Sequence, residues 1–170
     1  MSPYGVTKLS AEQLGYLYHV NYKVPATAVR YFTVYGPRQR PDMAFHKFIK
    51  AALKGEEIVL YGDGEQTRDF TFVSDAVGAT IAAGERGVPG RAYNVGGGSR
   101  VSINQVIKLI EEVAGRPLKV RREESQKGDM RDTYADTSLA RKDLAFEPKV
   151  SLKEGIEAEY RWLSSSAALL

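Results

Sequence analysis

A tyrosine and a lysine stand four residues apart near the amino end of this chain, at Tyr4 and Lys8. Residues four apart share one face of an α-helix, so the two side chains would lie side by side. An ammonium group beside a phenol favours the phenolate form, which suits such a tyrosine to general acid/base work near neutral pH. The pair is therefore the strongest candidate for chemistry in the sequence.

Local context supports a helix around this pair. Ser2 and Pro3 are an N-cap residue followed by proline at the first helical position. Apolar residues at helical spacing then predict a helix from Pro3 to about Asn21. The spacing alone is a weak signal, because the chain holds ten tyrosines and many lysines. The plain alternative is a helix with a solvated lysine and a half-buried tyrosine.

In dehydrogenase-type chemistry, a tyrosine–lysine pair acts on a nicotinamide bound by a glycine-rich turn earlier in the chain. Only Met1, Ser2 and Pro3 precede the tyrosine. The glycine run at 96–98 lacks the spacing of such a turn, and we expect it to be a structural turn. We therefore interpret the sequence as carrying one half of an active site.

Composition describes an ordinary globular domain. The 170 residues are 43% hydrophobic and 26% charged, which suits one domain with a sizeable core. The lack of cysteine excludes disulfides, thiol chemistry and cysteine-type zinc sites, and His19 and His46 are too isolated to predict a metal site. The net charge of +3 gives no argument for nucleic acid. No apolar stretch approaches a membrane span and no signal peptide is visible, so we expect a cytoplasmic protein without membrane contact.

Helices and strands alternate along the chain, which predicts an α/β fold. Ser74, Ser102 and Ser151 are predicted as helix N-caps. The predicted strands cover residues 26–34, 58–61, 68–73, 91–95 and 118–122, and the later helices cover 43–53, 75–85, 103–114, 138–144 and 152–163. The first strand has the pattern of one buried between neighbours. Because a parallel sheet needs more strands than this chain offers, we expect a missing amino-terminal half or a partner chain that covers an exposed edge.

Five runs of residues carry a family resemblance: SPYGVTKLSAEQL, RYFTVYGPRQRPDM, LYGDGEQTRDFTFVSD, AYNVGGG and KGDMRDTYAD. In this order they resemble extended short-chain dehydrogenases that act on sugar nucleotides, most of all the nucleoside-diphosphate-sugar 4-epimerases. The resemblance runs from Ser2 to about Trp162. It implies the carboxyl-terminal part of a Rossmann-type protein with its small substrate-binding subdomain. Residues 1–35 would be a remnant of the Rossmann domain with the tyrosine–lysine helix, and residues 36–170 mainly the sugar-nucleotide-binding part.

The family's amino-terminal part has no counterpart in this sequence. That part holds the glycine-rich dinucleotide turn, the acidic ribose ligand and the Ser/Thr that completes the catalytic triad. The full-length family uses NAD, and we expect this chain to bind none and to be inactive in isolation. A 4,6-dehydratase or a decarboxylase of the same fold stays open, and so does a non-catalytic module that binds nucleotide sugars or dimerises.

The resemblance also implies roles at the cofactor side. Tyr4 would remove the proton from the sugar 4-hydroxyl while hydride moves to NAD, and Lys8 would hold the nicotinamide ribose. Tyr31 and Phe32 would line the nicotinamide side.

Thr33 and Arg40 are the residues that bear on the sugar. A threonine followed by VYGP, with an arginine seven residues on, is similar to UDP-glucuronate 4-epimerases, where the two would flank the sugar carboxylate. A hydroxyl and a guanidinium can both donate to a carboxylate. The plain alternatives are a β-branched residue at a strand end and a solvated loop arginine. We place UDP-glucuronate slightly ahead of UDP-glucose as the substrate.

The nucleotide would be held further along the chain. Arg68 would bind the diphosphate or ribose, although it could instead pair with Asp69 or Asp63. Val59 and Tyr61 would sandwich the uracil, or serve as strand core. The late loop would add Gln126 and Asp129, with Arg131 as a nearby candidate, and Asp136 is expected to cap the following helix.

We also expect a homodimer. The first helix and the helix from Ser74 are apolar enough to form a helical interface, as in relatives that pair through a four-helix bundle. The alternative is that these faces cover the sheet of their own chain.

Overall fold

A computed structural model of the chain describes residues 3–124 and 131–165. Within these ranges the helices are α1 (Pro3–Tyr22), α2 (Ala44–Lys54), α3 (Val73–Arg86), α4 (Ile103–Ala114), α5 (Ser138–Leu144) and α6 (Leu152–Ser165). The strands are β1 (Ala28–Tyr31), β2 (Val34–Tyr35), β3 (Glu57–Tyr61), β4 (Thr67–Asp69), β5 (Thr71–Phe72), β6 (Ala92–Val95), β7 (Arg100–Ser102) and β8 (Lys119–Glu123). The predicted α/β class is confirmed.

The strands associate in pairs that are distant in sequence. β1 runs parallel to β6, β2 to β5 and β3 to β8, whereas β4 is antiparallel to β7. The predicted strand at 26–34 is wrong as a single element. The amide of Phe32 donates to the carbonyl of Val95, but the carbonyl of Thr33 accepts from the amide of Thr71. The chain thus changes partner strand between these two residues, and the strand is divided there.

The segment predicted as one strand at 68–73 is likewise divided, into β4 and β5 around Phe70. Ser74 as a helix cap is wrong, because α3 already begins at Val73 behind an extended Phe72. The other two caps are confirmed. Ser102 and Gln105 form a reciprocal capping box on α4, and Ser151 exchanges hydrogen bonds with Glu154 at the start of α6. The strand β7 was missed by the sequence prediction.

Two apolar clusters form the core. The larger lies where α2, α4 and α6 pack on β3, around side chains such as Ile49, Ile110 and Ile156. The smaller joins α3 and α5 to β6, around Tyr93 and Leu144. Helices thus pack on the β3–β8 pair and on the β1–β6 pair. This packing gives the loops at the ends of these strands a rigid support.

The helix α1 differs from the others because none of its residues is buried. Its exposed apolar side chains lie on several faces: Tyr4, Val6, Leu9, Leu14, Tyr16, Leu17, Tyr18, Val20 and Tyr22. The predicted bounds of this helix are confirmed within one residue, while its predicted cap, Ser2, lies outside the described residues. Across the described ranges no helix is both long and apolar enough to cross a membrane.

Candidate functional site

Tyr4 and Lys8 lie side by side on α1, as their spacing predicts. The Nζ atom of Lys8 is 5.3 Å from the centroid of the Tyr4 ring. Both residues line a cavity of about 650 Å³ between α1 and β1, to which Tyr31 also contributes. The Tyr4 side chain is 72% exposed. A ligand entering this cavity would therefore meet the phenol and the ammonium group together.

A forked ion pair fixes α1 against β1. The guanidinium of Arg30 on β1 donates to both carboxylate oxygens of Glu12 on α1, at 2.7 and 2.5 Å. The hydrogen bonds from Arg30 lower the pKa of Glu12 despite its partial burial. This pair joins the helix that carries Tyr4 and Lys8 to the strand that ends at Tyr31. Sequence reasoning missed it, because the acid and the base are 18 positions apart with no motif around either.

Tyr31, Phe32 and Thr33 lie at the carboxyl end of β1. The parallel partner β6 ends at the same edge, at Val95. In open α/β sheets, ligands bind outside the carboxyl ends of the strands, so this is the expected edge for a ligand. The Tyr31 hydroxyl is 2.6 Å from Oγ1 of Thr80 on α3, which fixes the orientation of its ring.

The glycine run after β6 is a structural turn, as predicted. A side chain at Gly97 would collide with the carbonyl oxygen of Phe70. The buried carboxylate of Asp69 accepts hydrogen bonds from the amides of Gly98, at 3.2 Å, and Ala135, at 3.1 Å. Burial raises the pKa of Asp69, and these backbone hydrogen bonds oppose the rise. Asp69 thus ties this edge of the fold together, a role that sequence reasoning did not find.

Arg40 lies on the loop that follows β2. It is exposed and its guanidinium donates to the carboxylate of Asp42 at 3.1 Å. The loop around it is ordered by Gln39, whose side chain donates to the carbonyl of Val34 and accepts from the amide of His46. The loop therefore spans from the end of β2 to the first turn of α2, with Arg40 at its surface.

The proposed nucleotide residues form a second group, around β3 and β4. Val59 is half-buried on β3, and Tyr61 at the end of that strand is 41% exposed. Nη1 of Arg68 on β4 donates to the carbonyls of Thr67, at 2.9 Å, and Arg131, at 3.2 Å. The backbone of Arg131 thereby helps to orient the Arg68 side chain.

The late loop is described from Arg131 onward. Gln126 and Asp129 lie outside the described residues. Asp136 as the cap of α5 is wrong, because Thr137 is the N-cap residue of that helix. The Asp136 carboxylate does accept from the amide of Ser138 at 3.0 Å, and hydrogen bonds from Ser138 lower its pKa. No group of three or more His, Asp or Glu side chains in residues 3–124 and 131–165 is placed to hold a metal ion.

Parallel strands, covering helices and a tyrosine–lysine pair beside a cavity at the sheet define a Rossmann-like protein of the short-chain dehydrogenase type. Residues 1–96 match the model of the NAD dependent epimerase/dehydratase family. The chain belongs to this family.

Three relatives show the extent of the similarity. The chain is 44% identical over 166 residues to a Bacillus subtilis protein described as an uncharacterised UDP-glucose epimerase, and covers 97% of itself and 52% of that protein. It is 40% identical over 171 residues to a UDP-glucuronate 4-epimerase of Thermodesulfobacterium geofontis, covering 100% of itself and 53% of the relative. The crystal structure of a Bacillus cereus UDP-glucuronic acid 4-epimerase with UDP-glucuronic acid and NAD superposes with a TM-score of 0.91 at 45% identity, over 96% of this chain and 52% of that one. The chain thus spans about half the length of these relatives.

Proposed function

We propose that this chain is the sugar-nucleotide-binding part of an NAD-dependent UDP-sugar 4-epimerase, with UDP-glucuronate preferred to UDP-glucose. One observation carries the proposal: Tyr4 and Lys8 lie together at a cavity with Tyr31, in the order and spacing of the family. The similarity to a structure that contains UDP-glucuronic acid and NAD supports it. The same proposal divides the chain at residue 35, between the tyrosine–lysine helix with its strand and the part that binds the sugar nucleotide.

The residues of the chain fit one end of NAD. The cavity beside Tyr4 and Lys8 suits the nicotinamide and its ribose, with Tyr31 and Phe32 at the strand end next to it. The glycine turn at 96–98 is filled by Phe70 and Asp69, so among the described residues it offers no cradle for a diphosphate. Bound NAD would supply the hydride acceptor for carbon 4 of the sugar. We therefore propose that the chain alone does not hold NAD well enough for turnover.

The proton is the part of the reaction that this chain would handle. Tyr4 Oη would take the proton from the 4-hydroxyl of the sugar as the hydride leaves carbon 4, and would return that proton to the 4-oxygen when the hydride is delivered back to either face of carbon 4. Lys8 would place its positive charge beside the Tyr4 ring, 5.3 Å from the ring centroid. Thr33 and Arg40 would donate hydrogen bonds to the carboxylate of a glucuronate, and Arg68 to the diphosphate. Val59 and Tyr61 offer a flat apolar slot for the uracil.

Calorimetry on the chain and an assay on a hybrid protein test this proposal. We expect UDP-glucuronate to bind the chain more tightly than UDP-glucose, and the chain with NAD to give no epimerisation. The hybrid protein carries the amino-terminal part of the Bacillus cereus epimerase ahead of Tyr4, and we expect it to invert carbon 4 of UDP-glucuronate. A folded hybrid without this activity would refute the epimerase assignment. Turnover by the chain alone would refute the proposal that activity requires the amino-terminal part.

A non-catalytic nucleotide-sugar-binding module is the second candidate. The filled glycine turn favours it, because Phe70 and Asp69 occupy the space beside Gly96 and Gly97 that a diphosphate would need. Heat on titration with UDP-sugar together with an inactive hybrid would support this module. Formation of a 4-keto-6-deoxy sugar from UDP-glucose by the hybrid would instead indicate a dehydratase, and release of carbon dioxide from UDP-glucuronate a decarboxylase.

We also propose a homodimer. On α3, Val77 and Ile81 are exposed, at 52% and 56%, in addition to the apolar side chains of α1. Helices that are apolar on more than one face are stable when a second surface covers them. A second copy of the chain would present the same helices by symmetry.

A further inference from the structure

A carboxylic acid that none of the proposed chemistry uses is buried in the centre of α6. The side chain of Glu159 has no solvent-exposed surface. Its Oε2 atom accepts a hydrogen bond from the amide of Gly36 at 2.9 Å. Its Oε1 atom is buried without a partner among the described residues. Burying an acid in this way is costly, so its place in the fold calls for a reason beyond packing.

The partner of Glu159 is the first residue of the loop that carries Arg40. Gly36 has φ of 129°, and a side chain there would press on Phe72 and Val73. Its carbonyl accepts from the amide of Gln39 at 3.0 Å, which closes a turn over residues 36–39. The loop is thus held at its start by Glu159 and at its middle by the bridging side chain of Gln39.

Ionisable side chains lie on each of the elements packed around this acid. Tyr35 on β2 is buried, and its hydroxyl lies against Gly155 of the same helix that carries Glu159. Burial and the charges of Asp75, Glu159 and Glu154 raise the pKa of Tyr35. On α2, His46 lies 6.2 Å from the ring of Trp162 on α6. From α4, Glu112 pairs with Lys153 of α6 at the surface, at 3.3 Å.

The balance of these effects puts the titration of Glu159 in the neutral range. Burial raises the pKa of Glu159 to about 7, and the hydrogen bond from Gly36 opposes the rise. An ionised carboxylate accepts a shorter and stronger hydrogen bond from an amide than a neutral acid does. The bond between Glu159 and Gly36 should therefore tighten as the proton leaves.

We propose that Glu159 is a positioning residue for the sugar-carboxylate site: it fastens Gly36, and its charge sets how firmly the loop holds Arg40 relative to Thr33. The part of this inference that concerns ligands rests on the proposed function. The part that concerns the loop does not. An ionised Glu159 gives a firmly held loop and tighter binding of a sugar nucleotide that carries a carboxylate. A protonated Glu159 gives a looser loop and weaker binding.

The amide resonance of Gly36 tests the loop directly, in the 170-residue chain without ligand. We expect its proton shift to titrate between pH 5 and 8.5, with a midpoint near neutral, and to move downfield as pH rises. Glu159→Gln keeps an acceptor for the amide and removes the charge, so the titration should vanish. His46→Gln is the matched control, because His46 is another buried ionisable side chain next to this loop, and it should leave the Gly36 titration intact. A constant shift in the unmodified chain, or a titration that persists in Glu159→Gln, would overturn the proposal.

Ligand binding tests the consequence. Between pH 6 and 8 we expect the affinity for UDP-glucuronate to rise several-fold, and the affinity for UDP-glucose, which has the same diphosphate but no carboxylate, to stay level. In Glu159→Gln the affinity for UDP-glucuronate should no longer depend on pH. Binding of UDP-glucuronate that is level with pH while Gly36 titrates would refute the positioning role. If neither UDP-glucuronate nor UDP-glucose binds at any pH, the proposed function is refuted. The Gly36 titration would then still decide whether Glu159 controls the loop.

Discussion

Tyr4 depends on its surroundings for the chemistry proposed here. Its side chain is 72% exposed, so water reaches the oxygen that would have to exchange a proton with a sugar. Excluding water from a site strengthens the electrostatic interactions within it. Lys8, at 5.3 Å from the ring centroid, supplies the nearby positive charge. We therefore expect the pair to become an efficient acid/base only when further chain closes over the cavity.

Replacing Tyr4 tests this role in the hybrid protein. Tyr4→Phe removes only the hydroxyl, and we expect the epimerisation rate to fall by roughly 10²- to 10⁴-fold, as for the loss of a general acid/base. The affinity for UDP-glucuronate, measured by calorimetry, should change little. Tyr18→Phe on the exposed part of the same helix is the control and should keep full activity. Equal rates for Tyr4→Phe and the unchanged hybrid would rule Tyr4 out.

Glu159 makes a prediction about stability that needs no ligand. Its pKa rises from 4.5 to about 7 on folding, so the folded protein holds a proton that the unfolded chain releases between these values. The contribution of protonated Glu159 to the free energy of unfolding is fully present below pH about 4.5, and it is lost as pH rises through about 7. A shift of this size corresponds to on the order of 3 kcal/mol.

Urea unfolding of the chain and of Glu159→Gln at pH 5 and pH 8 measures this loss. We expect the free energy of unfolding of the unmodified chain to fall relative to the variant as pH rises. A difference between the two proteins that stays constant from pH 5 to pH 8 would show that Glu159 is ionised throughout.

At the scale of elements, some features could be predicted from the sequence and others could not. α1 and α4 carry their own signals, a proline start or a capping box and apolar side chains at helical spacing, so their bounds were found. The division of residues 26–34 depends on whether Val95 or Thr71 lies opposite, which local sequence does not encode. β7 has three residues after a glycine turn and exists only through pairing with β4. Glu159 reads as an ordinary polar residue of a helix, because Gly36, its partner, is 123 positions away.

The attachment of α1 gives a prediction at this scale. Glu12→Gln weakens the fork from Arg30, and since Arg30 is half exposed we expect a stability loss of only about 0–1 kcal/mol. Hydrogen exchange of the α1 amides should nevertheless speed up, because none of the residues of this helix is buried to hold it. Glu112→Gln removes the exposed pair with Lys153 and is the control, with α1 exchange unchanged. Unchanged exchange in Glu12→Gln would mean that other contacts hold α1.

In the molecule as a whole, α1 and α3 expose apolar side chains to solvent. If a second copy covers them, Ile81→Glu places a charge in the interface and should shift the chain to a monomer in sedimentation velocity experiments. Val88→Glu changes an exposed apolar residue just beyond α3 and should leave the association state unchanged. A clean monomer before any substitution would contradict the homodimer.

Among the described strands, β1 pairs with β6 and with no other, so the backbone on its second side is open to hydrogen bonding. A strand with an open side can pair with an extended segment of another molecule. Such pairing becomes more frequent as the protein concentration rises. The practical consequence concerns handling: concentrated stocks should thicken or cloud with time, and dilute ones should keep. A short synthetic peptide that pairs with the open side of β1 would then block this association and lengthen the storage life of the protein.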